Sequence, residues 1–321
     1  MRGADRSDEG PAGGEEGMAE DIIRRALGES AASLAPLKAA KVYRARQLRR
    51  ALGERRALPA LPYLVTLRDG RRFKLLRGTG SARATVAGLV QLHAVVGGLP
   101  CVPRLVAHDA ENLLLEWIDG AAPRIDDPAF AAALGRTLAA LHGIEANVVE
   151  RASLVATLDA IVERAMRAQA LNQRGAERMR AWYAQLPERV RTSVTYADLK
   201  EGNLCWGTNG ELVLFDLGSF RRHSVTDEHL FAGKLSSPSL WSRLSHRDAF
   251  REAYLAAPGA YPHLFEAQTW LAPLSALRMA GTILDRRDAL PVWFWRQRAA
   301  YRRSVAERAR AVLQAITASG L

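Results

Sequence analysis

Between residues 193 and 220, in a half of the chain otherwise patterned for helix, lies a β-rich island. It reads as a short strand ending at Tyr196, a polar loop from Asp198 to Asn203 and a strand over Leu204–Trp206. A turn at Asn209-Gly210 and a strand over Leu212–Phe215, ending on Asp216, complete it. Asn-Gly is the preferred dipeptide of the type I′ hairpin turn, whose twist matches the strands it joins. A tight hairpin returns the chain to the end it left. Asn203 and Asp216 are therefore expected close together, with Asp198 at the start of the same loop. Two carboxylates and an amide converge from a span of 19 residues. All three are hard oxygen donors and suit Mg²⁺, which takes a few protein oxygens and completes its shell with phosphate oxygens and water.

Residues 1–20 are Gly-rich and acidic, with little to bury, and are expected to form a disordered tail. From Glu20 to about Ala51 the pattern is mostly helical, with a strand candidate around Val42. Tyr63 to Leu76 reads as a hairpin, two β-prone runs flanking the turn dipeptide Asp69-Gly70. A helix over 81–96 and strands over Val102–Ala107 and Asn112–Ile118 follow, and Asp119-Gly120 is a connector. Beyond about residue 128 the chain is mainly helical. Phe130–Ile144 carries Leu134, Leu138 and Leu141 at helical spacing, and 151–186 holds two further helices. A small strand-rich part followed by a larger helical part is an α+β pattern.

Composition narrows the function classes. Hydrophobic residues make up 48% of the 321, enough for a real core. No apolar run is long enough for a transmembrane helix, and no apolar segment near the start reads as a secretory signal. Two cysteines, Cys101 and Cys205, give neither a disulfide framework nor a cysteine-based zinc site. These features fit a cytoplasmic protein. The net charge of +11 comes almost wholly from arginine, because only Lys38, Lys41, Lys74, Lys200 and Lys234 are lysines. Charge alone could attract nucleic acid, but no nucleic-acid motif accompanies it and no specific nucleic acid is expected. The seven histidines show no metal-ligand spacing, and His142, on its helix, reads as a core histidine with a satisfied hydrogen bond.

The spacing of the island resembles that of the protein-kinase-like phosphotransferases, in which an Asp is followed five residues later by an Asn, with a second Asp after the next hairpin. Asp198 and Asn203 match the first pair, and Asp216-Leu217-Gly218 stands where that superfamily has Asp-Phe-Gly. The aminoglycoside phosphotransferase and choline kinase branch is the closer likeness. Its His-Gly-Asp-Leu-x-x-x-Asn corresponds to Tyr196-Ala197-Asp198-Leu199-Lys200-Glu201-Gly202-Asn203. Val102–Val106 with Leu113–Gly120 is similar to the branch's approach to the interlobe hinge, and Leu134–Gly143 to the helix after it.

The resemblance implies a two-lobed protein-kinase-like fold: a strand-rich, nucleotide-binding N-lobe over 21–118 and a larger helical, catalytic and acceptor-binding C-lobe over 119–321. It implies transfer of the γ-phosphoryl group of ATP to a hydroxyl of a small molecule or glycan. Asp198 would serve as base, and Lys200 would reach the transferred phosphoryl group. Asn203 and Asp216 would hold Mg²⁺, and Lys74 would contact the α- and β-phosphates. Backbone at Glu116, Trp117 and Ile118 would pair with adenine.

The chain departs from the branch in four places. Residues 81–96 contain no acidic residue to pair with Lys74, Thr85 standing where a Glu is usual; Tyr196 replaces His; Ala197 replaces Gly; and no glycine-rich loop precedes the Lys74 strand. A degraded pseudokinase, binding nucleotide or acting as a scaffold without turnover, is the alternative reading. Trp293, Phe294 and Trp295 precede a strongly basic helical stretch. It is a candidate for contact with an anionic membrane surface, although such aromatics are more often core and such arginines a solvated face.

Overall fold

A computed structural model describes residues 12–37, 61–77, 83–208, 210–227, 229–231, 239–288 and 307. In chain order the elements are α1 (Ala12–Leu27), β1 (Ala31–Pro36), β2 (Leu61–Leu67), β3 (Arg72–Arg77), α2 (Arg83–Val96), β4 (Leu105–His108), β5 (Asn112–Glu116) and β6 (Gly120–Ala121). They continue with α3 (Pro128–Gly143), β7 (Asn147–Glu150), α4 (Arg151–Arg167), α5 (Gln173–Tyr183), β8 (Arg189–Tyr196), β9 (Leu204–Gly207), β10 (Leu212–Leu214) and β11 (Phe220–Val225). The last are α6 (Leu240–Arg243), α7 (Arg247–Ala256) and α8 (Gln268–Asp288).

The chain divides into two compact units. One takes residues up to Ala121 together with Trp206–Gly218, and the other takes Ala122–Cys205 and the residues from Ser219 on. The hairpin segment 206–218 thus belongs with the strand-rich N-terminal part, whereas the sequence reading put everything after 118 in the second lobe. Pairing explains the assignment: Gly120 and Ala121 of β6 pair with Gly207 and Trp206 of β9, and Leu214 N–H donates to the Cys101 carbonyl at 2.8 Å.

The N-terminal unit is built on an antiparallel five-stranded sheet in the order β1-β2-β3-β5-β4. Two-residue alternation sets which side chains it buries. Phe73 and Leu75 of β3 enter a core with Val65, Leu67, Leu114 and the α1 residues Ile22 and Ile23, so Lys74 points to the opposite face. At the Asp69-Gly70 turn the φ of Gly70 is +88°, a conformation that glycine adopts without steric cost. Two expectations change here. The stretch from Glu20 to Ala51, read as mostly helical, contains strand β1, which pairs with β2 from Ala31↔Leu67 to Pro36↔Tyr63. Sheet pairing there outweighs the helix preference of alanine. Helix α1 begins at Ala12, inside the stretch expected as a tail, and Val42 lies outside the described residues.

In the C-terminal unit β8 is the central strand of a sheet in the order β11-β8-β7. The β island is therefore wider than its sequence pattern, starting at Arg189 and reaching Val225, and it gains β7 from a region read as helical. Helix α3 packs against α7 and β8. Between α3 and α7 His142 is fully buried, its Nδ1 2.8 Å from the Tyr254 hydroxyl. That hydroxyl accepts the Tyr261 N–H at 2.9 Å, and His142 Nε2 lies 3.5 Å from the buried Asp227 carboxylate. No helix among the described residues is long and apolar enough to cross a membrane. Trp293–Trp295 and nearly all of the basic stretch near the C-terminus lie outside the described residues.

Candidate active site

The loop after β8 has a compact internal geometry. Ala197 N–H donates to the Ser219 carbonyl at 2.7 Å, tying the start of the loop to the residue before β11. Residues Glu201–Asn203 form a 3₁₀ turn, with Asn203 N–H on the Lys200 carbonyl at 2.9 Å. The turn brings the Asn203 side chain back over the loop. Its Nδ2 donates to the Asp198 carbonyl at 3.0 Å and to Asp198 Oδ2 at 2.9 Å. Both bonds require the NH₂ end of the amide on that side, which turns the Asn203 carbonyl oxygen away from Asp198. Lys200 Nζ forms an ion pair with the same Asp198 Oδ2. Three of the residues singled out from sequence, Asp198, Lys200 and Asn203, thus meet within one loop of the C-terminal unit.

Two further residues hold this loop, Tyr196 from the motif itself and Arg243, which has no local sequence signal. Tyr196, buried with its ring edge-on to that of Phe220 and the ring centres 4.9 Å apart, directs its hydroxyl at the Asn203 backbone carbonyl, 3.4 Å away. Arg243 of α6 pairs with Glu201 at 2.6 Å. Both acids of the loop, Asp198 and Glu201, are therefore matched by cations of the same unit.

In the N-terminal unit, Lys74 is fixed by the register of β3, opposite Leu64 of β2 and Leu115 of β5. Its Nζ donates to the Phe215 carbonyl at 3.0 Å and lies 5.9 Å from the centre of the Phe215 ring. Asp216 follows in the same unit, while Asn203 belongs to the other. Glu116 closes β5, its carboxylate 3.4 Å from Arg104 Nε. The N–H groups of Glu116 and Trp117 are already engaged by the carbonyls of Arg104 (2.9 Å) and Arg72 (3.3 Å). The segment is braced further on, where Asp119 pairs with Arg72 and accepts from the Trp117 indole at 3.2 Å. α2, the helix after Lys74, contains no acidic residue, and the side chain of Thr85 lies outside the described residues.

The fold of the chain is similar to that of solved phosphotransferases. The chain is similar to a protein assigned as a fructosamine-3-kinase from Thermobifida fusca YX-ER1, at 20% identity over 93% of this chain and 98% of that one, with a TM-score of 0.54. It is similar to the macrolide 2′-phosphotransferase MphH of Brachybacterium faecium, at 16% identity over 91% and 97%, with a TM-score of 0.55. A choline kinase from Cryptosporidium parvum Iowa II aligns at 11% identity over 82% and 88%, with a TM-score of 0.51. At these identities the likeness establishes the kinase-like α+β fold and nothing finer. No curated protein matches the sequence. The model of the phosphotransferase enzyme family matches residues 39–225, more than half of the chain and a span that includes Lys74, the Asp198–Asn203 loop and Asp216. The chain belongs to the phosphotransferase enzyme family.

Proposed function

We propose that this protein transfers the γ-phosphoryl group of ATP to a hydroxyl of a small molecule or glycan. The observation that carries the reading is the Asp198–Asn203 loop, where one side chain fixes the carboxylate and turns an amide oxygen outward. Asp198 would accept the acceptor's hydroxyl proton as its oxygen bonds to the γ-phosphorus and the bond to the β–γ bridging oxygen breaks, releasing ADP. General-base assistance of this kind contributes about 10²–10⁴ in rate. Lys200, at Asp198, would meet the transferred phosphoryl group, and Lys74 would grip the α- and β-phosphates. The hinge amides of Glu116 and Trp117 are engaged, which leaves adenine to the Glu116 carbonyl and the backbone of Ile118.

The donor set fits Mg²⁺. Asn203 supplies an amide oxygen and Asp216 a carboxylate, both hard donors, and phosphate and water would complete the shell. Asn203 and Asp216 would hold the ion, which when bound neutralises charge on the phosphate oxygens. Among the described residues no cluster of three His, Cys, Asp or Glu could hold a metal alone.

The acceptor is better matched to a neutral or anionic hydroxyl compound than to a polycation, because Lys200 and Arg243 already satisfy the loop acids. Incubation with Mg-ATP and a panel of sugars, sugar phosphates, aminoglycosides, macrolides, choline and lipid-linked glycans, read by mass spectrometry, tests this. A phosphorylated product supports the reading. No product and no ATP hydrolysis would favour the nucleotide-binding module without turnover. Asp216→Ala should abolish the Mg-ATP-dependent rise in melting temperature while leaving the unliganded melt unchanged. An identical rise in mutant and parent would refute the metal role.

A further inference from the structure

We infer that Arg243 is a positioning residue of the Asp198–Asn203 loop, acting through Glu201 on the amide of Asn203; the role rests on the phosphotransferase reading above. The turn Glu201–Asn203 is a single 3₁₀ turn, too short to have much stability of its own. No side chain caps it at Lys200. Its middle residue is Gly202, which brings the most permissive backbone of any residue to the centre of the turn. The Asn203 amide, with its Nδ2 on the Asp198 carbonyl and Oδ2, is only as well placed as the turn that carries it.

Arg243 holds that turn at its first residue. Its guanidinium pairs with Glu201 Oε1 at 2.6 Å, within the same compact unit. Each side chain is 36% exposed, yet Oε1 itself is shut off from water, so the ion pair compensates a charge that solvent does not reach. Without the cation that charge would be costly to keep enclosed, and the turn would open to hydrate it. The far end of the strut is fixed. Ser239 Oγ accepts the Ser242 N–H at 3.1 Å at the start of α6, and Arg247 donates to the Trp241 and Ser242 carbonyls at 3.0 and 2.6 Å at its end. The Trp241 ring stands edge-on to those of Phe231 and Phe250, with centres 5.7 and 5.4 Å apart. A long side chain on this firm base reaches the loop just before the residue whose amide oxygen is assigned to Mg²⁺.

The test reads the Asn203 amide directly. The chain has five asparagines, so selective ¹⁵N labelling of asparagine gives a short NMR spectrum of side-chain NH₂ groups, and Asn203→Asp identifies the Asn203 pair by its loss. In the parent those protons should exchange slowly with water, because Asp198 holds them. In Arg243→Gln they should exchange faster and the signal should move, while the unliganded melt changes little, since a partly exposed ion pair adds little stability. Adding Glu201→Gln should restore the signal, because no charge is then left to hydrate. Effects of the two changes that simply add would mean that Arg243 does not act through Glu201, and would overturn the inference.

A second readout is ATP affinity by calorimetry, with Mg²⁺ and with EDTA. Arg243→Gln should weaken Mg-ATP binding about tenfold, the low end of what losing an outer support of a metal ligand costs. Binding in EDTA should stay at the parent's value, because Asn203 reaches the nucleotide only through the metal. An Asn203 signal that stays in place in Arg243→Gln overturns the inference, as does an equal loss of affinity with and without Mg²⁺. If ATP binding by the parent does not depend on Mg²⁺, the metal reading fails instead, and the Asn203 signal decides the inference alone.

Discussion

Replacing Asn203 by Asp keeps the size of the side chain and an oxygen for a metal but removes the two N–H bonds to Asp198. A carboxylate oxygen would then take the place of Nδ2, 2.9 Å from Asp198 Oδ2. Two unit charges at that separation repel by about 6 kcal/mol at an effective dielectric of about 20. The Asp198 side chain is 33% exposed and shares its Oδ2 with Lys200, so solvent and the ammonium should reduce this to roughly 3 kcal/mol. The pair relieves the repulsion by keeping a proton, which raises a folded-state carboxyl pKa above its ordinary value.

The sign follows from linkage. A carboxyl whose folded pKa lies above its unfolded value contributes fully below the unfolded pKa, about 4, and the contribution is lost as pH rises through the raised folded pKa. The stability gap between parent and Asn203→Asp, from urea denaturation, should therefore widen by about 3 kcal/mol between pH 4 and pH 7 and then level off. A gap equal at both pH values would mean that the Asn203 amide does not face Asp198, and the geometry of the loop would be refuted. The assay needs no acceptor, so it tests the site separately from its substrate.

Two further outcomes are expected. Gly259 has a φ of +86°, and an added Cβ would lie 2.5 Å from the Ala139 carbonyl oxygen and 2.7 Å from Gly143 Cα. Gly259→Ala should cost about 2–4 kcal/mol and lower the melting temperature by several degrees. The control Gly88→Ala, with nothing within 4 Å of its Cβ on helix α2, should gain up to about 1 kcal/mol. The hydrogen bond from the Tyr183 hydroxyl, aided by Arg180, holds the Asp159 carboxyl below the usual aspartate range. Its contribution is present above the ordinary Asp pKa and lost as pH falls through the depressed one, below about 4. Asp159 is largely solvated, so the effect is small. Asp159→Asn should flatten the acid limb of a melting-temperature profile slightly, and an unchanged limb would remove Asp159 from that role.

The pieces legible in the residues are those set by neighbours along the chain. Asp69-Gly70 marks a hairpin because glycine there needs a positive φ. The Asp198–Asn203 loop closes on itself because its donors and acceptors lie within five positions of one another. His142 was readable as a core histidine because its helix buries that face. The identity of its partners, Tyr254 and Asp227, was not, since each lies far away in sequence. Strand β1 carries no such local signal, because an Ala-rich hexapeptide shows its β character only once β2 lies beside it.

Local order in this chain follows from residue type and spacing, which act through bonds a few positions long. Which unit receives Trp206–Gly218, and which backbone Lys74 meets, are settled by strand pairing and packing between segments far apart in the chain, 141 positions in the case of Lys74 and Phe215. No pattern in the primary order encodes that energy; it exists only once the sheet has closed and the two segments compete with water for each other's polar groups.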